Sequence, residues 1–552
     1  MAIKGPGEVL IHLLHLQPGQ TSDPIVCETQ QVPLSSDVPY ETLSYCWGNL
    51  PLEMSILQDG SPKAITLSLS MALRQIRNPN KARTLWVDQL CIDQSNETEK
   101  SRQVSVMQDI YRKSANGISW LGELPTELDK PGLGQVILAM MGSPRAKWQG
   151  VRWWQRIWTV QEAKLPRASI IQWGQFVISF DIIKRIALKM TQSWDFCQRF
   201  NHVFDLGWLL NHFCTPLANL QIHDTTGVLG SLYRWRYRET SEPRDKVFAL
   251  MGLFPGIPFP SVPFCDYSLS VVDIYKLVTL DLIRQNRGLL PLVGRRGEPR
   301  ATPNLPSWVL DWMPPKNPAK RSHDYFGNCR RWEFFDCSGG TYVDPVISDS
   351  NGLVLQGCKV DEIALVGPVR FVDHRTLTED EYDNKAREIA GDFRTVFEAW
   401  LRTQEPGISY VRSNSVTPLE AFRRTLIGDL VLDGYESDHR ASFDEAVSVD
   451  AQIDGENLVV HNSLRDMVCS QSFFITRHGY TGIGPPDARI GDEVWVLLCG
   501  NFPHVLRPLM TVGATHSDEE GYEHVGDAYV HGIMDGEVIR DDTFYINKVI
   551  IY

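Results

Sequence analysis

The 11 cysteines of this 552-residue chain include no C-x-x-C pair, and they are odd in number and scattered. That excludes the common zinc and dithiol patterns and a secreted disulfide framework; reduced thiols of a cytoplasmic protein are the expectation. No apolar run approaches the roughly 18 residues of a membrane span. The apolar patch near the N-terminus lacks a small-residue cleavage site, so no secretory signal is read there. No basic run occurs, and the formal charge is −13. Nucleic acid and acidic membrane surfaces are therefore not expected partners. Internal repeats and long low-complexity segments are also missing. What remains is an ordinary globular composition with many tryptophans, 16 in all, and enough length for two or three domains.

The stretch from 84 to 122 organises the first part of the chain. Leu85, Trp86 and Val87 form a short apolar run suited to a buried parallel strand. A turn follows with Asp88, Cys91, Asp93 and Gln94. Asn96 can cap a helix whose Val104, Met107 and Tyr111 share a stripe. Ile118 to Leu121 closes a βαβ unit. Its first loop lies at the carboxyl end of a parallel strand, where open α/β sheets bind ligands.

Strands near 42–46, 84–88, 118–121 and 168–172, alternating with helices, imply an α/β fold, a doubly wound parallel sheet of flavodoxin-like type. Asp59-Gly60 marks a hairpin between 54–58 and 63–67. A helix is expected from Pro131 to near Met141, and a continuous one over 153–164. Four regions follow: an N-terminal extension, 1–34; the α/β domain, 35–180; a mainly helical region with irregular connection, 181–345; and an α+β region, 346–552. The last contains a strand pair at 353–365 and ends in a small antiparallel sheet or barrel.

Glu162 is the acid that stands out. On a continuous helix it shares one face with Trp154 and Trp158, and no basic residue lies three or four positions away. Burial of that face would raise its pKa; pairing with a distant arginine is the structural alternative. Asp88 either binds a hydroxyl or caps its own turn. Asp93 and Gln94 suit loop formation. Ser44, Tyr45 and Trp47 end the first parallel strand, with Trp47 either stacking on a base or filling core, and Gly48 permits close backbone approach. Cys91 reads as a buried structural thiol, Asp245 as a helix-start residue, and His531, Asp535 and Glu537 as turn chemistry around Gly532 and Gly536 rather than metal ligands.

Three blocks, YETLSYCWG at 40–48, LWVDQLCIDQ with its helix at 85–122 and WWQRIWTVQE at 153–162, resemble the heterokaryon-incompatibility (HET) domain of filamentous fungi. Asp93 stands where that pattern often has Asn. Looser matches, PRDKVFALMGL at 243–253, LPSWVLDW at 305–312 and the C-terminal GDEVWVLLCGNFPHVLRP and YVHGIMDGE, extend the resemblance over most of the chain. HET domains are in turn distantly similar to Toll/interleukin-receptor (TIR) domains. In the NAD-cleaving members of that group a glutamate on a late helix, after an aromatic step, is catalytic, and Glu162 after Trp158 occupies the comparable place.

The resemblance implies an intracellular signalling enzyme of the incompatibility or cell-death type that cleaves a nucleotide, with NAD as substrate and no cofactor or metal. Glu162 and Asp88 would be catalytic; Ser44, Tyr45, Trp47, Gly48, Asp93 and Trp158 would bind substrate. Two alternatives carry different partners. One is a non-catalytic module for self/non-self recognition, working as a homo-oligomer or with a protein partner. The other is an enzyme of fungal secondary metabolism acting on a small organic molecule.

Overall fold

The computed structural model describes residues 9–47, 54–124, 152–192, 227–254, 256–294, 300–313, 331, 333–372, 377–405, 407–411, 416–432, 437–456, 462–509 and 521–552. The chain divides into two units, Met1–Val271 and Val272–Tyr552. The expected helix at 131–141 lies outside the described residues, as does Gly48.

The first unit runs β1 (Leu10–Leu16), β2 (Val26–Pro33), β3 (Glu41–Ser44), β4 (Met54–Gln58), β5 (Ser61–Ile65), α1 (Leu67–Ile76), β6 (Arg83–Trp86), α2 (Asp88–Cys91), α3 (Glu97–Lys113) and β7 (Asn116–Trp120). It continues with α4 (Trp158–Lys164), β8 (Ser169–Trp173), β9 (Phe176–Ser179), α5 (Phe180–Gln192), α6 (Gly227–Trp235) and α7 (Asp245–Met251). One sheet holds all nine strands, in the order β5-β4-β2-β1-β6-β3-β7-β8-β9. Its centre, β6-β3-β7-β8, is parallel throughout. These are the four expected strands, displaced by a residue or two. The segment read as an N-terminal extension supplies β1 and β2 to this same sheet, β1 lying antiparallel to both β2 and β6.

Counted along the chain, the parallel centre has the order 2-1-3-4. The connection from β6 to β7 passes over β3, and the carboxyl end of β3 falls at the point where strand order reverses. The connection is held by burial of Val104, Met107, Ile110 and Tyr111 on α3, the ring of Tyr111 meeting Trp86 edge-on at 5.7 Å. Asn96 Oδ1 caps α3 by accepting from Glu99 N at 3.1 Å, and Arg112 and Lys113 suit the negative end of its dipole. The Asp59-Gly60 turn joins β4 to β5, with both residues at positive φ as that hairpin requires.

The expected continuous helix over 153–164 is broken. Residues Arg152–Gln155 form a 3₁₀ turn, and α4 starts only at Trp158. The cause is tertiary: Arg156 bridges Glu239 in a parallel β contact, and Ile157 N donates to Glu239 O at 3.0 Å. That backbone bond replaces a helical one. Trp154 consequently leaves the Trp158–Glu162 line and stacks on Phe180.

The second unit runs α8 (Val271–Asn286), β10 (Val346–Ile347), β11 (Leu353–Val366), α9 (Glu379–Leu401), α10 (Pro418–Leu426), β12 (Leu430–Val431), β13 (His439–Arg440), α11 (Phe443–Ile453) and α12 (Asn462–Val468). The β-rich end follows: β14 (Ser472–Thr476), β15 (Thr481–Gly484), β16 (Glu493–Leu497), β17 (His504–Pro508), β18 (Gly521–Asp527), β19 (Tyr529–Val530) and β20 (Asn547–Ile551). The strand pair expected at 353–365 is one long strand, β11, because it serves four partners: β10, β20, β16 and β14. The pairings β11–β16–β17–β18–β20–β11 close a five-stranded barrel in which only β18–β20 is parallel. Closure removes the free edges that such short strands would expose. Beside it, α9, α10, α12 and β14 share an apolar core, with Phe397 and Phe422 stacked at 4.4 Å.

Gly357 lies where the barrel closes, in register with both Asn547 and Leu497. A Cβ there would stand 2.6 Å from the Val496 carbonyl oxygen and 3.0 Å from Leu497 Cα. Both are backbone atoms of a paired strand and have no room to yield. Gly357→Val should therefore cost about 1–3 kcal/mol or more, read as a lowered thermal midpoint. An unchanged midpoint would contradict this closure.

Candidate functional site

The site forms where the carboxyl end of β3 meets α4. Ser44 is the last residue of β3, and its hydroxyl donates to the Glu162 carboxylate. Trp153 Nε1 donates to the same Ser44 oxygen at 2.7 Å. The indole N–H occupies a lone pair of that oxygen, so the hydroxyl proton is directed at Glu162. Ser44, Trp153 and Glu162 are all buried, Glu162 to 5% exposure. A serine and a tryptophan thus fix the position of one inward-facing acid.

Arg156 supplies the neighbouring positive charge. The turn that interrupts the helix carries it, half-buried, and its Nη1 donates to Tyr45 O at 2.6 Å. Burial opposes its charge, yet Glu162, Cys46 and Asp88 outweigh burial and hold its pKa above the usual value. For Glu162 the balance goes the other way. Burial, aided by the charge of Asp88, raises its pKa from 4.5 to about 7 against the pull of Arg156 and the Ser44 hydrogen bond. The carboxyl group is therefore poised between its acid and base forms near neutrality.

Asp88 opens α2 directly after β6. It accepts Trp47 Nε1 at 2.9 Å on one oxygen and the Gln89 backbone N–H at 2.8 Å on the other. It thus bonds the neighbouring N–H at the start of its own turn and also holds Trp47. Burial raises its pKa too, with Arg156 opposing. Tyr45 is buried and its hydroxyl donates to Gln89 Oε1 at 2.8 Å, tying the end of β3 to α2. Trp47, Asp88 and Arg156 keep part of their surface in solvent.

Ser44, Tyr45, Trp47, Asp88 and Glu162 are thus brought together. Two expected members are not. Asp93 is exposed and bonded to Ser95 in its own loop. Trp158 donates to Asp245 Oδ2 at 2.9 Å instead. Asp245, the expected helix-start residue of α7, also accepts Tyr267 OH at 2.7 Å and Thr240 Oγ1 at 3.2 Å. Sequence reasoning missed Trp153, Arg156 and Gln89. The only available signal was an arginine six residues before Glu162, outside the i±3 and i±4 window. Cys91 is a buried thiol whose pKa is pushed up to about 12 by burial, unsuited to nucleophilic attack. Asp535 pairs with Arg440, and His531 Nδ1 meets Tyr529 OH at 2.9 Å. Among the described residues no three His, Cys, Asp or Glu side chains converge as a metal would need, and no helix is long and apolar enough to cross a membrane.

Residues 40–135 match the heterokaryon incompatibility protein (HET) family model, and residues 393–546 match the Het-6 beta-barrel domain. The chain is 24% identical to heterokaryon incompatibility protein 6, OR allele, of Neurospora crassa, over 97% of its own length and 96% of the relative's. It is 26% identical to the vegetative incompatibility protein HET-E-1 of Podospora anserina, over 41% of its length and 15% of that much longer relative. No solved structure matches. Two family matches in different units, and a likeness spanning nearly the whole chain, support a heterokaryon-incompatibility protein of the fungal type.

Proposed function

We propose that the first unit is a TIR-like hydrolase that cleaves the nicotinamide–ribose bond of NAD, with Glu162 as its working carboxylate. The observation that carries this reading is the buried Glu162, held by Ser44 at the end of a central parallel strand and poised near neutral pH. The parallel order β6-β3-β7-β8 and the place of Glu162 on the helix between β7 and β8 fit the TIR comparison.

The chemistry asks little of the protein. Nicotinamide in NAD is already cationic and leaves as a neutral base, so no acid is needed to expel it. As the C–N bond breaks, positive charge builds on the ribose, and an ionised Glu162 stabilises that oxocarbenium-like state. Water then adds to the sugar carbon, giving ADP-ribose, nicotinamide and one proton. Asp88 would accept a ribose hydroxyl, and the part-exposed Trp47 would offer a stacking face beside it. Arg156 keeps enough positive potential nearby for Glu162 to ionise.

Incubating the full chain with NAD and separating the products by chromatography tests the substrate. ADP-ribose and nicotinamide are expected; NAD left intact would overturn the reading. Glu162→Gln keeps the shape without the charge and should lower turnover by roughly two to three powers of ten. Normal turnover in that variant would remove Glu162 from the chemistry.

Turnover should also follow the ionisation of Glu162. It should fall about tenfold per pH unit well below pH 7 and level off above it, given a carboxyl pKa of about 7. A profile flat down to pH 5 would contradict this. Stability has the opposite dependence. Native Glu162 holds its proton more tightly than the unfolded chain does, so stability falls as pH rises from 4.5 to about 7. Glu162→Gln escapes that loss. Its stability relative to the unaltered protein should improve by about 1–3 kcal/mol between pH 4.5 and 8, measurable by denaturant melts at both pH values.

A further inference from the structure

The segment between α6 and α7 carries a second cation, one with no role in the cluster around Glu162. Arg238 lies half-buried with its guanidinium over the Trp235 ring, 4.9 Å from the ring centre. Its Nη1 donates to Thr159 Oγ1 at 2.9 Å and reaches the Arg156 carbonyl at 3.4 Å. Both acceptors are neutral, and both belong to the turn that starts α4. The backbone under it is pinned: Lys246 Nζ donates to the carbonyls of Arg236 and Arg238, and Glu239 bridges Arg156.

Arg238 thus has its stem clamped, one face covered by an indole and one nitrogen committed. Among the described residues nothing accepts from Nε or Nη2, the edge of the fork that binds a carboxylate or phosphate through two parallel hydrogen bonds. No carboxylate pairs with it there either. Glu162 and Asp88 act on Arg156, whereas among the described residues no charge acts on Arg238, and burial moves its pKa down to about 9. A half-buried cation loses part of its solvation, which an anion would make good, and among the described residues none pairs with it. Arg244, on the same segment, shows the contrast, since its fork is taken by Glu242.

We propose that Arg238 grips the diphosphate of the substrate whose ribose cation Glu162 stabilises. The two groups flank one turn: Arg238 contacts its backbone at Arg156 and its side chain at Thr159, and Glu162 lies three residues further along α4. A ligand with a phosphate at one end and a sugar at the other can span them. The naming of the sugar end rests on the Glu162 reading; the anion site does not.

The test is calorimetric binding of ADP-ribose and of inorganic pyrophosphate to the full chain, with NAD kinetics alongside. Arg238→Gln should weaken both ligands about tenfold or more, as loss of a bidentate charged contact does. It should raise KM for NAD and leave kcat within about threefold. Arg238→Lys, which keeps charge but loses the fork, should fall between, and it decides the matter should the Gln variant not fold. Equal affinity for pyrophosphate in the unaltered protein and the Lys variant, or no binding of either ligand, would overturn the proposal. A protein that binds pyrophosphate through Arg238 yet leaves NAD intact would uphold the anion site and refute the NAD reading alone.

Discussion

The first unit depends on one buried contact, the Ser44 hydroxyl against the Glu162 carboxylate. An unpaired acid at that depth would neutralise itself or destabilise the fold. Here the hydroxyl is aimed by Trp153, and the charge is answered by Arg156 from the turn before α4. The burial that makes the acid costly also brings its pKa close to neutrality. Stability and poise therefore come from the same arrangement, and each partner of Glu162 serves both.

The placement follows from topology. The carboxyl end of β3 lies where strand order reverses, a position that open α/β sheets leave free for ligands. The loops after β3 and β6 both arrive there, so Trp47 and Asp88, far apart in sequence, meet directly. The break between the 3₁₀ turn and α4 matters as much. It turns Trp153 and Arg156 toward the end of β3, which a straight helix through Trp158 would not do. Glu239 causes that break, so the segment before α7 shapes the site although it holds no part of the acid cluster. The barrel of the second unit obeys a similar constraint, since a single long strand closes it only by letting Gly357 approach the backbone of β16.

Much of this was legible from local pattern. The four parallel strands show as short apolar runs bounded by turn residues, and the Asp59-Gly60 hairpin and the Asn96 cap follow from single side chains. Glu162, Asp88, Ser44, Tyr45 and Trp47 were legible as a group because they follow strands or lie on the adjoining helix. What escaped was set by distant contacts. The helical i, i+4 rule put Trp154 beside Glu162, yet a bridge to Glu239 hands that position to Trp153. Arg156 lies six residues from Glu162, a spacing that is neighbourly only across a broken helix. The stretch 353–365 reads as a strand pair and is one strand, in which Gly357 makes a close approach to the backbone of β16. Asp93 failed to join for a local reason, an Asx turn at Ser95, and Trp158 for a distant one, the carboxylate of Asp245.

The most direct test is the ionisation of Glu162 itself, followed by isotope-edited infrared spectroscopy of the carboxyl band, with Glu162→Gln identifying the signal. The arrangement around β3 and α4 predicts a midpoint near pH 7, moving higher in Ser44→Ala as the hydrogen bond to the charged form is lost. A midpoint in the ordinary carboxylate range near 4.5, unmoved by Ser44→Ala, would mean that Glu162 is neither buried nor held as described.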